Sequence, residues 1–311
     1  MNPITFPNLN ISIDISNVAF SIFGKDIYWY GLIITLGIVF AVFLAYLRLN
    51  KKEDNKKLKE NKISKDNKFG FSFDDITDFV LLAIPLGIIF ARLYYVIFSF
   101  DSYIKNPIEI IQIWNGGLAI YGGIIGGIFS CFIFCKIKKK SFLDLTDFCA
   151  PYLALCQSIG RWGNFFNREA YGSITDSFFK MGIPNTKGEY FYYHPTFLYE
   201  SVANLIVFII LINLSNKRKF KGQIFYLYLI LYGIIRFFIE GLRLDSLYLF
   251  STGIRVSQAL SIVLAIIGIV LYLKSRKSKD FSKRKWYFSK IGVFNERRRR
   301  KNYLSRFRKR R

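Results

Sequence analysis

The sequence is poor in the side chains that bind metals. It has one histidine and four cysteines, and all four cysteines (Cys131, Cys135, Cys149 and Cys156) lie inside apolar segments. No histidine or carboxylate accompanies Cys131 and Cys135, the pair whose spacing would place both on one helix face. Metal sites in proteins group thiolate, imidazole and carboxylate ligands. The sequence therefore predicts no metal site, and we interpret the cysteines as small buried apolar side chains.

Other features that would define a function class are also missing. The sequence has no Gly-x-Ser-x-Gly motif and no pair of aspartates within an apolar segment, which argues against an intramembrane protease. It shows no internal repeat, whereas many transporters are built from repeats with broken helices. Residues 1–24 lack the basic region and cleavage site of a signal peptide, so we expect this segment to stay attached.

Apolar surface is what the sequence has in excess. The chain is 52% apolar and 18% aromatic, whereas soluble domains are about 45–50% apolar. The excess is gathered into long blocks, and a membrane helix needs about 20 mostly apolar residues. We therefore predict an all-α polytopic membrane protein with about seven transmembrane helices. The predicted spans are residues 27–49, 76–98, 113–137, 145–158, 196–214, 223–239 and 254–273.

The distribution of basic residues predicts an orientation. Loops rich in Lys and Arg alternate with less basic loops, and basic loops collect on the cytoplasmic side of membranes. The basic loops are residues 50–68, 136–140 and 217–221. This alternation places the N-terminus outside and the C-terminus in the cytoplasm. The predicted regions are an extracytoplasmic N-terminal segment (1–26), a seven-span membrane domain (27–273) and a basic cytoplasmic tail (274–311).

The tail accounts for most of the net charge of +24, because residues 274–311 contain 18 Lys/Arg and 2 Asp/Glu. Such a segment could bind nucleic acid or anionic lipid. In a membrane protein, anionic lipid of the inner leaflet is the simpler partner, at about 1 kcal/mol per basic residue near the surface. We expect the tail to contact anionic membrane lipid, and we expect no nucleic-acid partner.

The polar stretch at residues 160–172 is the centre of the functional prediction. It follows an apolar run and contains two arginines, two asparagines, a glutamate and three glycines. Such groups at the end of a membrane span are costly unless they are paired or functional. The alternative is a solvated loop whose arginines bind lipid headgroups. The glycines favour a tightly folded backbone that points its N–H groups at an anion.

Two further polar clusters lie at the ends of predicted spans. His194 precedes the fifth span, where it could be structural or could act as a base, because histidine titrates near neutrality. Glu200, inside that span, needs a partner. Tyr232, Arg236, Glu240 and Arg243 follow i, i+4, i+8, i+11 spacing and share one helix face.

These clusters predict a polar cavity that holds at least two arginines. Arg236 and Glu240 can pair, and Arg161 is predicted at the same face of the membrane. Arginine forks match phosphate oxygens, so the natural ligand is an anionic phospholipid headgroup. The glycine-rich segment 116–127 has small-xxx-small spacing, typical of close helix packing, and it leaves room for Tyr121 to face the cavity.

At this point a family resemblance is evident. Gly-Arg-x-Gly-Asn-Phe-x-Asn-x-Glu-x-x-Gly at residues 160–172 resembles the signature of the prolipoprotein diacylglyceryl transferase family. Further motifs follow in that family's order. They are Trp-Tyr-Gly at 29–31, the glycine-rich segment 116–127, His-Pro-Thr-x-Leu-Tyr-Glu at 194–200 and Tyr-x-x-x-Arg-x-x-x-Glu at 232–240. The resemblance covers residues 28–273 and leaves out the tail.

The resemblance implies a multi-pass enzyme of the bacterial cytoplasmic (inner) membrane. Such an enzyme transfers a diacylglyceryl group from phosphatidylglycerol to the lipobox cysteine of a prolipoprotein, forms a thioether, releases glycerol phosphate and needs no cofactor. By position, the residues that should shape the headgroup site are Arg161, Asn164, Glu169 and Gly172. The positions that the family uses around the same cavity are Tyr30, Tyr232, Arg236 and Glu240.

One position departs from the family pattern. Tyr121 stands where well-studied relatives have a histidine proposed as the base, and a tyrosine, with an ordinary pKa of about 10, is a poor base. Tyr121 could instead position a substrate by hydrogen bonding, with His194 or Tyr232 taking the proton. A base would be unnecessary if the arginines lowered the pKa of the thiol enough.

A second function class remains open. A transporter or scramblase of anionic phospholipid could also carry arginines in a glycine-lined membrane cavity, although the missing repeats argue against it. A purely structural membrane protein would not need Arg161, Arg236 and Glu240 together.

Overall fold

A computed structural model describes residues 3–57, 69–104, 106–185, 187–248 and 253–278. The chain forms six short strands and eight helices within these ranges. The strands are β1 (Ile4–Phe6), β2 (Ile11–Ile13), β3 (Val18–Ile22), β4 (Lys25–Tyr28), β5 (Met181–Pro184) and β6 (Tyr190–Tyr193). The helices are α1 (Trp29–Lys57), α2 (Phe73–Phe98), α3 (Phe100–Ile104), α4 (Ile120–Ile137), α5 (Phe142–Phe166), α6 (Thr196–Ser215), α7 (Gln223–Leu242) and α8 (Val256–Ser278).

The chain is a mainly helical polytopic membrane protein. In the described part of the chain, six helices (α1, α2, α4, α6, α7 and α8) are long and apolar enough to cross a membrane. Helix α5 is as long as these, with 25 residues, but it carries three ionisable side chains, Asp144, Asp147 and Arg161.

Two of the predicted spans differ in their bounds from the helices of the structure. The predicted fourth span, 145–158, is shorter at both ends than helix α5. The helix is longer because neither Pro151 nor the polar residues near its two ends interrupt it. The predicted third span began at residue 113, whereas helix α4 begins at Ile120. Short 3-10 turns and the positive φ angles of Gly116 and Gly117 precede it. Helix α8 extends to Ser278, and the rest of the predicted tail lies outside the described residues.

Two small sheets lie beyond one end of the helices, and sequence analysis did not predict them. The larger has the strand order β2-β1-β5-β6 with antiparallel pairing throughout, and β3 and β4 form a hairpin before α1. Phe6 of β1 and Met181 of β5 pack with Phe165 of α5 and Phe197 of α6. We call this end of the bundle the sheet end.

Glycines bring α2 and α4 into close contact, as the small-residue spacing predicted. A Cβ on Gly122 would collide with the carbonyl oxygen of Phe90, and one on Gly126 would lie 2.7 Å from that of Leu86. Gly127 faces open space, so only the Gly122/Gly126 pair serves this contact.

At the opposite end, Asp147 of α5 joins three elements. Its carboxylate accepts hydrogen bonds from the backbone N–H groups of Gly222 (2.7 Å), Ile224 (2.9 Å) and Phe225 (2.9 Å), at the start of α7. The guanidinium of Arg218 bonds to the same carboxylate at 2.9 Å. Asp147 is fully buried. A single carboxylate therefore caps α7 and pairs with the loop that precedes it.

Candidate active site

Helix α5 carries the first half of the polar stretch. Arg161, Gly163 and Asn164 lie in its last turns, and the helix ends at Phe166. The expectation that the glycines fold the backbone tightly around an anion does not hold for Gly160 and Gly163, because both lie within the helix. The backbone turns only beyond the helix, where Arg168 and Ala170 have φ angles of 53° and 57°. The site thus presents side chains to a ligand, rather than a nest of backbone N–H groups.

Two arginines share one buried carboxylate at the centre of the site. Glu200 of α6 lies 2.7 Å from Arg161 through Oε1 and Nη2, and 3.3 Å from Arg236 through Oε2 and Nη1. Its side chain is 2% exposed. A buried carboxylate needs partners of this kind, because desolvation without pairing is very costly. Glu200 therefore ties α5 to α7 through α6.

The predicted pair on α7 is formed. Arg236 Nη2 lies 2.6 Å from Glu240 Oε2, in the i, i+4 relation that the spacing indicated. Glu240 is buried, and its backbone carbonyl accepts a hydrogen bond from Arg255, just before α8. Each guanidinium has five N–H donors, and these contacts occupy only part of them.

Asn164 links the arginines to the loop that follows α5. Its Nδ2 donates to Glu169 Oε1 at 2.9 Å, and Asn167 approaches the same oxygen at 3.4 Å. The backbone N–H of Glu169 returns to the carbonyl of Asn164 at 3.0 Å. Arg161 approaches Asn164 Oδ1 at 3.4 Å. The carboxylate of Glu169 is thereby fixed beside the arginine pair.

An open cleft of about 780 Å³ adjoins this loop. Tyr30 and Thr35 of α1 line one side, and Asn167 and Glu169 line the other, with Asp26 of the β3–β4 hairpin at the rim. Tyr30 lies close enough to Arg161 and Glu169 to interact with their charges. The cleft is rich in hydrogen-bonding groups, so it suits a hydroxylated ligand.

Gly163 sets the distance between α1 and α5. A Cβ at this position would lie 2.6 Å from Tyr30 Cδ2, whereas a Cβ on Gly160 would meet nothing within 4 Å. We expect Gly163→Ala to displace Tyr30 and lower kcat/KM about tenfold or more, since small misplacements at a site are costly. Gly160→Ala, the matched control in the same helix, should leave turnover unchanged. Equal turnover for both variants in the transfer assay described below would contradict this role of Gly163.

The three candidates for the base lie in different surroundings. The side chain of Tyr232 lies close to Arg161 and Arg236. Tyr121 lies beside Tyr94, with ring centroids 6.2 Å apart, and the imidazole Nδ1 of His194 lies 3.4 Å from the hydroxyl of Tyr199. Among the described residues, no hydrogen bond or ion pair joins the side chain of Tyr121 or His194 to the arginine pair.

Gly172 and His194 hold the connecting loops together through their backbones. The N–H of Gly172 donates to the carbonyl of His194 at 2.9 Å, and Gly172 also forms a bridge with Arg243. A Cβ on Gly172 would lie 2.8 Å from Cβ of His194, so a larger residue would separate these loops. The guanidinium of Arg243 donates hydrogen bonds of 2.8 and 2.6 Å to the carboxylate of Asp245. These bonds hold the pKa of Asp245 below its usual range.

The central charges are balanced before any ligand binds. Arg161 and Arg236 face Glu200 and Glu240, so the cluster has no net formal charge of its own. The pairing holds both guanidinium groups in place at little electrostatic cost. Sequence analysis noted Glu200 only as a carboxylate that needs a partner, and it did not single out Arg255. The signal for Glu200 was an isolated acidic residue in an apolar helix.

The fold and this cluster define a class: a polytopic membrane protein with an arginine pair near one end of its helices, suited to the phosphate of a lipid. Comparison with known proteins is more specific. The family model described as prolipoprotein diacylglyceryl transferase matches residues 17–274. The chain belongs to this family of transferases.

Similar proteins from other bacteria cover nearly the same region. The chain is 48% identical over 263 residues to the phosphatidylglycerol–prolipoprotein diacylglyceryl transferase of Clostridium novyi (strain NT), covering 83% of this chain and 95% of the relative. It is 47% identical over 261 residues to the protein of the same name from Finegoldia magna, with 84% and 96% covered. The corresponding protein of Enterococcus faecalis is 44% identical over 277 residues, with 86% and 92% covered. Family membership does not favour a transporter or scramblase.

Proposed function

We propose that this protein transfers the diacylglyceryl group of phosphatidylglycerol to the lipobox cysteine of a prolipoprotein. The observation that carries the proposal is the pair of arginines that shares buried Glu200. The names of the relatives, which include both phosphatidylglycerol and prolipoprotein, support the same substrates.

The reaction is a substitution at a glyceryl carbon. The cysteine sulfur forms a bond to this carbon as the carbon–oxygen bond to phosphate breaks, and the electron pair leaves with the oxygen of glycerol phosphate. The thiol proton is taken up by the departing phosphate oxygen, so that glycerol phosphate leaves as a monoanion and charge and atoms balance. Negative charge gathers on the phosphate oxygens, and Arg161 and Arg236, with N–H donors left over from their ion pairs, stabilise it most strongly in the transition state.

The cleft beside Tyr30 suits the headgroup glycerol of the lipid. The carboxylate of Glu169 and the amide of Asn167 can accept and donate hydrogen bonds to its hydroxyl groups. Asn164 keeps Glu169 at a fixed distance from the phosphate position, because it contacts both Glu169 and Arg161. Gly172 acts indirectly, through the backbone bridge that closes the loops.

Activation of the thiol can rely on the arginines themselves. The cluster is neutral as a whole, but the N–H donors that the ion pairs leave free can hydrogen-bond to a thiolate and so favour the ionised form of the thiol. Tyr232 contacts Arg161 and is placed to orient the incoming sulfur. Among the described residues, neither His194 nor Tyr121 hydrogen-bonds to the arginine pair, so we assign neither as the base.

The placement in the membrane follows the charge pattern. We propose seven spans, with α5 as the seventh member alongside the six apolar helices, in the bacterial cytoplasmic membrane. The sheet end and the arginine pair then face outward, where lipobox cysteines arrive. The tail beyond α8 contacts anionic lipid of the inner leaflet. Binding of a peptide of residues 279–311 to anionic vesicles, and not to neutral ones, would test this contact.

The function is tested with the full chain in detergent, phosphatidylglycerol and a peptide that contains a lipobox cysteine. The expected result is a mass gain of one diacylglyceryl group on the cysteine. The same peptide with serine at that position, or phosphatidylcholine as the lipid, should give no product. Transfer from neither phosphatidylglycerol nor another anionic lipid would refute the proposal, and lipid movement between leaflets without transfer would support a scramblase.

A further inference from the structure

A second set of polar side chains lies deeper in the bundle than the arginines. Asn204 of α6 is fully buried, and neither Nδ2 nor Oδ1 has a hydrogen-bond partner among the residues that the structure describes. A buried amide without partners is costly and uncommon in folded proteins. The ion pairs of the arginine cluster do not involve it, so its position needs another explanation.

Contacts between helices fix the depth of Asn204. Arg161 pairs with Glu200, and Ser158 and Ser201 exchange hydrogen bonds of 2.7 and 2.9 Å, so α5 and α6 run antiparallel here. Asn204 follows Glu200 by four residues. It therefore lies one helical turn, about 6 Å, farther from the sheet end than the arginine pair.

Gln157 occupies the same depth on α5, four residues before Arg161. Its side chain lies close to Tyr228 of α7, and its buried Oε1 has no hydrogen-bond partner in the described ranges. Three helices thus contribute polar groups at this level. We call Gln157, Asn204 and Tyr228 the amide layer.

The polar side chains of α5 and α7 at this end are more exposed than those of α6. Gln157 and Arg161 of α5, and Tyr232 and Arg236 of α7, are partly exposed, whereas Glu200 and Asn204 of α6 are buried. Helix α6 thus carries a carboxylate at the level of the arginines and a neutral amide one turn deeper.

We propose that Asn204, with Gln157 beside it, binds the ester carbonyl groups of the lipid that donates its diacylglyceryl group. The inference rests on the proposed function. With the phosphate at Arg161 and Arg236, the glycerol carbons and then the two esters follow within a few bonds toward the acyl chains. In a membrane this direction leads from the sheet end toward the middle of the helices, where the amide layer lies.

The chemistry of the two partners matches. An ester carbonyl accepts hydrogen bonds and donates none, and Asn204 Nδ2 offers two N–H donors. Gln157 exchanges its donor and acceptor by a half-turn of its amide. The hydroxyl of Tyr228 then donates to the amide oxygen of Gln157, and the amide N–H groups of Gln157 turn to the second ester. A neutral amide suits this depth, because a charged group there would be much costlier.

This subsite makes the enzyme selective for ester-linked lipids. A comparison of two substrates, one with the ester carbonyls and one without them, tests this selectivity. The full chain would be assayed with diester phosphatidylglycerol and with 1,2-di-O-alkyl phosphatidylglycerol of equal chain length, which lacks both carbonyls. We expect kcat/KM to be about tenfold higher for the diester, the size of one neutral hydrogen bond.

Asn204→Leu removes the amide at similar volume and should bring this ratio close to one while transfer from the ether lipid persists. Asn213→Leu, the same substitution at an exposed position of α6, should keep the tenfold ratio. Because the wild-type ratio is itself a test, the proposal does not depend on whether the Asn204 variant folds. A Gln157→Leu variant, which should also lower the ratio, supplies a second check.

The outcomes separate this inference from the function on which it rests. A wild-type ratio near one, or a tenfold ratio that survives in Asn204→Leu, would overturn the ester subsite and leave the transferase intact. If Asn204→Leu lost activity equally toward both lipids, Asn204 would have a structural role, and the ester subsite would also be overturned. No transfer from either lipid by the wild type would refute both proposals.

Discussion

Replacing Arg161 with alanine is expected to lower kcat/KM for transfer to the lipobox peptide about a thousandfold. Loss of one preorganised donor to a developing oxyanion typically costs about 10²–10³ in rate. Arg161 also orients Asn164 and contacts Tyr232, and it supplies one of the two guanidinium groups that pair with Glu200. Because Arg236 still pairs with Glu200, the variant should fold, and the defect should appear in turnover.

Arg161→Lys separates charge from geometry. Lysine keeps the positive charge but lacks the planar fork that meets two oxygens at once, so we expect only partial recovery, to about a hundredfold below the wild type. Arg276→Ala, at an exposed position near the end of α8, is the control and should transfer normally. The mass gain on the peptide is the measurement. Full activity of Arg161→Ala would remove this residue from the mechanism.

Replacing Asp147 with alanine is expected to lower the free energy of unfolding by about 3–5 kcal/mol, the usual range when one partner of a buried charge network is removed. The substitution leaves three backbone N–H groups at the start of α7 and the buried side chain of Arg218 without this carboxylate. Asp144 still pairs with Arg218 at 2.6 Å, which prevents a larger loss.

Unfolding in detergent, followed by circular dichroism, measures this effect. Asp147→Asn keeps the shape and one acceptor oxygen, so its loss should be smaller. Asp176→Ala is the surface control: its side chain is 98% exposed and pairs only with Lys180, so it should not change stability measurably. Unchanged stability of Asp147→Ala would show that Arg218 and the start of α7 are held by other contacts.

Sequence patterns predicted much of this architecture because membrane helices follow a simple physical rule. About 20 apolar residues in a row leave few alternatives to a helix in lipid, and the boundaries of α6 illustrate this, with Thr196 as its first residue. The Arg236–Glu240 pair could be predicted equally well, since helical spacing alone brings residues i and i+4 together.

The features that prediction missed depend on contacts between distant segments. Position 163 of helix α5 requires glycine because Tyr30 of α1 occupies the space beside it. Local propensity, which disfavours glycine in helices, cannot reveal that contact. The central position of Glu200 could not be predicted from the sequence, because its arginine partners lie on two other helices, α5 and α7. The sheets were missed because their strands have only three to five residues, and because the pairing of β1 with β5 joins segments that are far apart in the sequence.

The larger sheet has a consequence for the order of events during biosynthesis. Thr5 of β1 pairs with Gly182 of β5, so the strand made first must wait until α1, α2, α4 and α5 have been synthesised and inserted. Until then Ile4 and Phe6 lack Met181 and Phe165, their packing partners. Because Phe165 is adjacent to Asn164, the nascent protein can complete its arginine site only late in insertion. A half-made chain is therefore inactive toward the lipids around it.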